Sequence, residues 1–260
     1  MSDKKPEILS PAGTKESLIA AVRSGADAVY LGAKNFSARR NAENFGADEL
    51  KDAVGYCHER GVKVYLTLNT MIKSKELSFA FNTAVEAYAS GADGIIISDL
   101  GLADILRREI PDFPLHGSTQ LSVHSPAALS ILKEKGFSRI VLAREMSCKQ
   151  ISDFCREAKK INIETEVFVH GALCMSLSGQ CLLSSMIGER SGNRGLCAGP
   201  CRLPFGARGL NKNRYDLSLK DLSLINHIDE LKKIGVDSLK IEGRMKRPEY
   251  VAAATAVCRL

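Results

Sequence analysis

A (β/α)8 TIM-like barrel, an α/β fold, is what this sequence predicts, and three observations predict it. Eight short β-rich runs alternate with helical stretches along 260 residues, an order that gives a parallel sheet with helical crossovers. Four phrases, SGADAVYLG, SGADGIIIS, KGFSRIVLA and IGVDSLKIE, repeat one device. In each, a helix ends on glycine, a short turn follows, and the chain enters an apolar strand. No G-x-G-x-x-G turn follows the first run, so an open dinucleotide-binding sheet lacks its fingerprint.

The elements follow in order. Residues 7–10 form the first strand, and a Pro-Ala-Gly turn leads to a helix over 14–24 with Thr14 as its N-cap. Strand two is 28–31. A helix over 48–60 begins ADELKDAV and stops before Gly61. Strand three, 63–68, precedes a helix over 77–90 that stops at Gly91, and strands four and five are 94–98 and 115–117. A helix over 125–135 has Pro126 at its first position and stops at Gly136. Strand six is 139–142, followed by a helix over 147–160 and strand seven, 166–169. A helix over 224–234 stops at Gly235, and strand eight is 238–241. The chain reaches Leu260 part-way through the eighth helix, so that helix reads as truncated and a C-terminal part as missing.

With 45% hydrophobic and 25% charged residues, the chain has enough apolar material for one large core. Residues 1–260 are therefore expected to form a single barrel domain. The N-terminus is polar and has no apolar signal region, and no apolar run approaches the ~18 residues of a membrane span. A cytoplasmic protein is expected, where eight cysteines do not read as four disulfides. A formal charge of +6 permits an anionic partner such as RNA, and equally a solvated surface. Tryptophan is absent, so no stacking platform for single strands is visible.

One connection departs from the pattern. Between strands seven and eight, residues 171–218 form a long glycine-rich insertion that carries Cys174, Cys181, Cys197 and Cys201. In a barrel this loop leaves the C-terminal face, where active sites are built. The spacing C-x6-C-x15-C-x3-C has no paired CxxC knuckles, which disfavours a zinc ribbon. Four thiolates suit a [4Fe–4S] cluster, since iron takes soft sulfur ligands. Zinc and structural or redox thiols remain as alternatives at this point. Cys57, Cys148 and Cys155 fall on helical stretches and read as small hydrophobes, and Cys258 has no assignment.

The run EVFVHGALC at 166–174, then GQCLLS at 179–184, resembles the signature of the U32 family, long labelled collagenase-like peptidases. ILSPAGTKESLIAAVRSGADAVYLG, NRGLCAGPCR and SLKDLSLINHIDELKKIGVDSLKIEGRMKRPEY extend that resemblance over essentially the whole chain. The resemblance implies a barrel with a [4Fe–4S] cluster. Several members of the family are oxygen-independent hydroxylases that take oxygen from prephenate, and their targets include a tRNA wobble uridine, a 23S rRNA cytidine and ubiquinone precursors. By motif matching, Cys174, Cys181, Cys197 and Cys201 become the ligands. Many relatives carry a further cysteine after the Asp-Leu of KDL, where this chain has Ser223, which leaves Cys201 as the fourth ligand.

Other candidates come from strand ends. His170, four residues before Cys174, reads as an acid/base or anion-binding group, or as a histidine that holds the loop. Glu242 and Arg244 close strand eight and would orient a small carboxylate co-substrate, or pair as an ion bridge. Asn69, Asp99, Gln120, Arg144 and Glu145 end strands three to six on the same face. Arg39 and Arg40, with Arg144, Arg190, Arg194 and Arg202, suggest an RNA-facing rim.

The function expected is iron–sulfur-dependent, oxygen-independent hydroxylation of an RNA nucleobase in tRNA or rRNA, with prephenate as oxygen donor and no membrane partner. A U32-type peptidase and a non-catalytic iron–sulfur partner subunit are the alternatives. No HExxH or GxSxG supports proteolysis. A Cys174–His170 dyad would compete with the role of Cys174 as a ligand.

Overall fold

The structure, a computed structural model, describes residues 5–39, 42–205 and 214–259. Arg40, Gly206 and Gly209 lie outside the described residues. Eight parallel strands close on themselves: β1 (Glu7–Pro11), β2 (Ala28–Gly32), β3 (Lys63–Leu68), β4 (Gly94–Ile97), β5 (Leu115–Gly117), β6 (Phe137–Val141), β7 (Glu164–Gly171) and, after a short β8, β9 (Ser238–Ile241). Parallel pairing of β1 with both β2 and β9, and of β7 with both β6 and β9, completes the barrel. The two-residue β8 (Leu222–Ser223) runs antiparallel to the end of β7, with His170 opposite Ser223.

Alternation along each strand divides the side chains between two environments. In β4, Ile95 and Ile97 face outward into the large core beneath the helices, and Ile96 faces the barrel axis with Leu9, Ala28, Tyr30 and Tyr65. Each fully buried isoleucine contributes about 1.5–3 kcal/mol relative to exposure. Helices α1 (Lys15–Arg23), α2 (Ala47–His58), α3 (Leu77–Ala89), α4 (Leu100–Glu109), α5 (Leu129–Glu134) and α6 (Cys148–Lys160) form the outer layer, closed by α8 (Ile228–Ile234) and α9 (Pro248–Arg259) after the short α7 (Leu183–Gly188). Through Arg259, α9 buries Val251, Ala254, Thr255 and Cys258, and its Thr255 hydroxyl meets that of Ser10 on β1 at 2.6 Å. Cys57 and Cys155 are buried helix residues, as read, and Cys148 is exposed at the start of α6.

The repeated phrases have a common physical function. Asp27, just before β2, accepts the Ile8 N–H at 2.7 Å while its own N–H donates to the Ile8 carbonyl at 3.0 Å. Asp93 closes the same ring on Val64 of β3 (2.7 and 2.8 Å), and Asp237 on Thr165 of β7 (2.9 and 3.0 Å). The third phrase, KGFSRIVLA, has Ser138 instead, whose hydroxyl donates to the Leu115 carbonyl of β5 at 3.2 Å. The strands β2, β4, β6 and β9 are thereby pinned at their bases to β1, β3, β5 and β7.

The lower barrel interior is ionic instead of aliphatic. Arg139 reaches Glu7 at 2.5 Å, Glu164 at 2.7 Å and Glu166 at 3.4 Å, and Lys240 donates to Glu166 at 2.8 Å. Tyr65 donates to Glu7 at 2.9 Å. Burial opposes ionisation of Glu7, but the Arg139 charge and hydrogen bonds hold its carboxyl below the ordinary value. Burial, aided by Arg139 and Lys240, keeps His116 neutral.

Some elements differ from expectation. Residues 100–109 form α4, a helix the sequence pattern does not predict, and Asp99 is expected at the mouth. Asp99 is instead the N-cap, accepting the Leu102 N–H at 2.9 Å. The helices expected over 125–135 and 224–234 each begin as one 3₁₀ turn, Pro126–Ala128 and Ile225–His227. Among the described residues no helix is long and apolar enough to cross a membrane.

Candidate functional site

The C-terminal strand ends converge on a mouth lined by Tyr30, Arg39, Asn69, Arg144, Phe168, Lys240, Glu242 and Arg244, among others. Arg39 pairs with Glu242 at 3.3 Å. Burial would raise the Glu242 carboxyl, but Arg39, Arg244 and Arg144 hold it below the ordinary range, so it stays ionised at neutral pH. Arg244 is 4% exposed and donates to the hydroxyls of Ser37 (2.6 Å) and Thr67 (2.9 Å). Burial pushes its pKa down to about 10, still well above neutrality. The buried Arg144 Nε–H has no partner among the described residues. Neither Arg144 nor Arg244 makes an ion pair among the described residues, which leaves two guanidinium charges available to an anion.

His170 ends β7 beside this group. Its carbonyl accepts the Glu242 N–H at 2.8 Å, its ring stacks on Tyr250 at 5.7 Å between centroids, and its buried Nδ1 has no partner among the described residues. An anion or a transferable proton would satisfy that nitrogen.

The cysteine segment lies across the mouth. Ser178 bonds Glu145 through its N–H (3.0 Å) and hydroxyl (2.8 Å), and the Ser122 hydroxyl donates to the Ser178 carbonyl. Arg194 grips Glu76 with two bonds of 2.7 and 3.0 Å and also donates to the Met71 carbonyl at 2.6 Å. Two glycines permit the close approach. A Cβ at Gly179 would lie 2.3 Å from the Gln120 oxygen, and one at Gly195 2.2 Å from that of Ser37; both have positive φ. The cover leaves a mouth cavity of about 50 Å³, room for a few waters. Cavities of about 770 and 750 Å³ lie elsewhere, at the N-terminal strand ends and between α1 and α2. A ring-sized substrate therefore enters only if the cover shifts. R194A is expected to speed amide hydrogen exchange across 191–197 several-fold while strand amides stay protected; unchanged exchange there would remove Arg194 as the tether.

All four clustered cysteines are free, Cys197 exposed and the others partly buried. Burial raises the Cys201 thiol against the opposing charge of Arg202, and Cys174, Cys197 and Cys181 raise it further. Cys197 likewise acts on Arg39, which ties the thiols to the mouth. The Gly199 N–H donates to the Cys197 sulfur at 3.3 Å, the kind of contact that tunes cluster sulfurs. Among the described residues no three His, Cys, Asp or Glu side chains are gathered to hold one metal ion. The soft, all-sulfur donor set suits an iron–sulfur cluster in its chemistry, and the described thiols are not gathered about one point.

The predicted arginines divide. Arg39, Arg144 and Arg244 meet at the mouth, so Arg144 faces inward and not onto a rim. Arg194 tethers the cover, and Arg202 donates to the Leu173 carbonyl at 2.5 Å and the Ser218 hydroxyl at 3.0 Å. Sequence reasoning missed Tyr30, Phe168 and Lys240. The available signal was alternation for Lys240, two residues before Glu242, whereas a register shift between Phe168 and His170 hides Phe168 from the same pattern.

A family model for peptidase family U32 matches residues 13–260. tRNA hydroxylation protein P1 of Bacillus subtilis is 39% identical over 98% of this chain and 63% of its own length. A 23S rRNA 5-hydroxycytidine synthase of Escherichia coli is 38% identical over 98% of the chain and 39% of its own length. A collagenase of Porphyromonas gingivalis is 37% identical over 97% of the chain and 64% of its own length. The chain thus spans less than two thirds of each of these relatives. A solved structure described as the U32 peptidase Mk0906 superposes with a TM-score of 0.61 over 94% of this chain and 95% of its own, at 15% identity, a likeness of fold.

Proposed function

The chain belongs to peptidase family U32, and on that premise we propose that it hydroxylates a nucleobase of tRNA or rRNA, using a [4Fe–4S] cluster and prephenate as the oxygen donor. The observation that carries this reading is the likeness over 98% of this chain, at 38–39% identity, to relatives named for tRNA and rRNA hydroxylation. The mouth supports it: two guanidiniums without carboxylate partners suit the carboxylates of a small dianion. Cys174, Cys181, Cys197 and Cys201 would hold the cluster. When bound, it would supply an iron centre that polarises an oxygen-bearing substrate or passes electrons. The chain's own residues bind and orient: Arg244 and Arg144 take the carboxylates, Glu242 fixes Arg39, and His170 Nδ1 holds or moves a proton. The cover excludes water once the substrates are in place.

The test supplies anaerobically reconstituted protein with an unmodified transcript and prephenate, then measures nucleosides by mass spectrometry. A hydroxylated uridine or cytidine that depends on prephenate is expected. No product from tRNA or rRNA, with a full cluster present, would overturn the proposal.

The collagenase relative favours a peptidase as the second reading. Against it, His170 Nδ1 bonds no thiol among the described residues, so Cys174 is not activated through that atom. Proteolysis that survives loss of Cys174 would favour this reading.

A further inference from the structure

Two aromatic rings and three cations alternate across the floor of the mouth. The Arg244 guanidinium lies 5.8 Å from the Tyr30 ring centre, and the Lys240 ammonium 4.3 Å from it. Lys240 is also 5.6 Å from the Phe168 ring, and Arg144 lies 5.7 Å from that same ring. The order across the floor is Arg244, Tyr30, Lys240, Phe168, Arg144. Tyr30 is anchored by a 2.8 Å bond from its hydroxyl to the Ile241 carbonyl. Tyr30, Phe168, Lys240 and Arg244 are 3–6% exposed.

Like charges this close repel, and something must hold them in a row. Glu166 neutralises Lys240 at the centre with a 2.8 Å contact. Neither end guanidinium is within ion-pair distance of a carboxylate among the described residues; both feel the Glu242 charge, Arg244 is also held by the Ser37 and Thr67 hydroxyls, and the ring faces add a further attraction to each. Apolar side chains of similar volume would fill the space but would not attract a cation.

We propose that Tyr30 and Phe168 are positioning residues that hold Arg244 and Arg144 at opposite ends of the floor, so that the mouth prefers a ligand with two carboxylates over one with a single carboxylate. The proposal rests on the anion-binding part of the function above and adds the residues that set its spacing. The rings touch the cations and never the reacting atoms. Their effect is on ligand preference.

Calorimetric titration of the protein with glutarate and with butyrate tests this directly. Wild type is expected to favour glutarate. F168L is expected to lower glutarate affinity about tenfold, the size of a desolvated cation–π contact, with butyrate little changed. F168Y, which keeps a ring, is expected to restore the preference. Tyr30→Leu against Tyr30→Phe forms a second pair, and melting curves identify a variant that has lost its fold. A folded F168L or Y30L with the wild-type preference overturns the proposal, as does a wild type with no preference. Nucleoside mass spectrometry on the same proteins keeps the two claims apart. Hydroxylation without ring-dependent preference sinks this inference alone, and ring-dependent preference without hydroxylation sinks the RNA reading alone.

Discussion

Serine in place of Cys174 is expected to leave a folded protein that retains little iron and sulfide, lacks the visible absorption of a cluster, and hydroxylates RNA at least ~100-fold more slowly. Groups that merely orient a metal ligand already cost 10–100-fold when removed, and a ligand itself costs at least as much. Cys174 stands three residues after Gly171, the last residue of β7. The measurement is an anaerobic iron and sulfide count beside the nucleoside assay. Full iron content with wild-type activity in C174S would remove Cys174 from the ligand set. The same variant at Cys201 bears on the fourth ligand, because the alternative position is Ser223, which pairs with His170 on β8.

Arg139→Met is expected to cost about 3–5 kcal/mol at neutral pH, the range for breaking a buried ion pair from one side. That is a large share of the 5–15 kcal/mol that typically separates folded from unfolded domains. Arg139 is 4% exposed and meets Glu7, Glu164 and Glu166. Its removal leaves those carboxylates without the shared guanidinium, with Lys240 still paired to Glu166. The pH dependence has a definite sign. In wild type the Glu7 pKa lies below its ordinary 4.5, so its contribution is present above that pH and is lost as the pH falls through the folded value. In the variant, burial acts on Glu7 without the opposing charge, its pKa rises, and protonation removes the unpaired charge. The stability gap between the two proteins is therefore expected to narrow as the pH drops toward 4.5. Urea unfolding at pH 7 and at pH 5 measures it, and a gap that widens on acidification would refute this account of the network.

Local signals made much of the fold legible. Glycines after helices, apolar strand cores and the repeated Gly-x-Asp turns all act within a few residues, and the strands they predict align with the eight barrel strands. The barrel interior was less legible. Glu166, Arg139 and Lys240 sit in strands that read as apolar, and their charges make sense only once β1, β6, β7 and β9 surround one axis. The mouth was legible where a residue ends a strand, as with Glu242 and Arg244. It was not legible where partners are far apart in sequence. Arg194 resembled an RNA contact because its partner Glu76 is 118 residues away.

The Asp237 clamp has a consequence for the order of assembly. The cysteine segment interrupts the chain between β7 and β9, and the clamp joins Thr165 to Asp237 across that gap, 72 residues apart in sequence. Strand register at this seam is therefore set at the end of the barrel opposite the thiols, by groups that need no cofactor. On the proposed cluster reading, the barrel would fold first as a scaffold and take up the cluster afterwards, at one face. A melting curve for C174S close to that of wild type stripped of iron is the signature of that sequence of events.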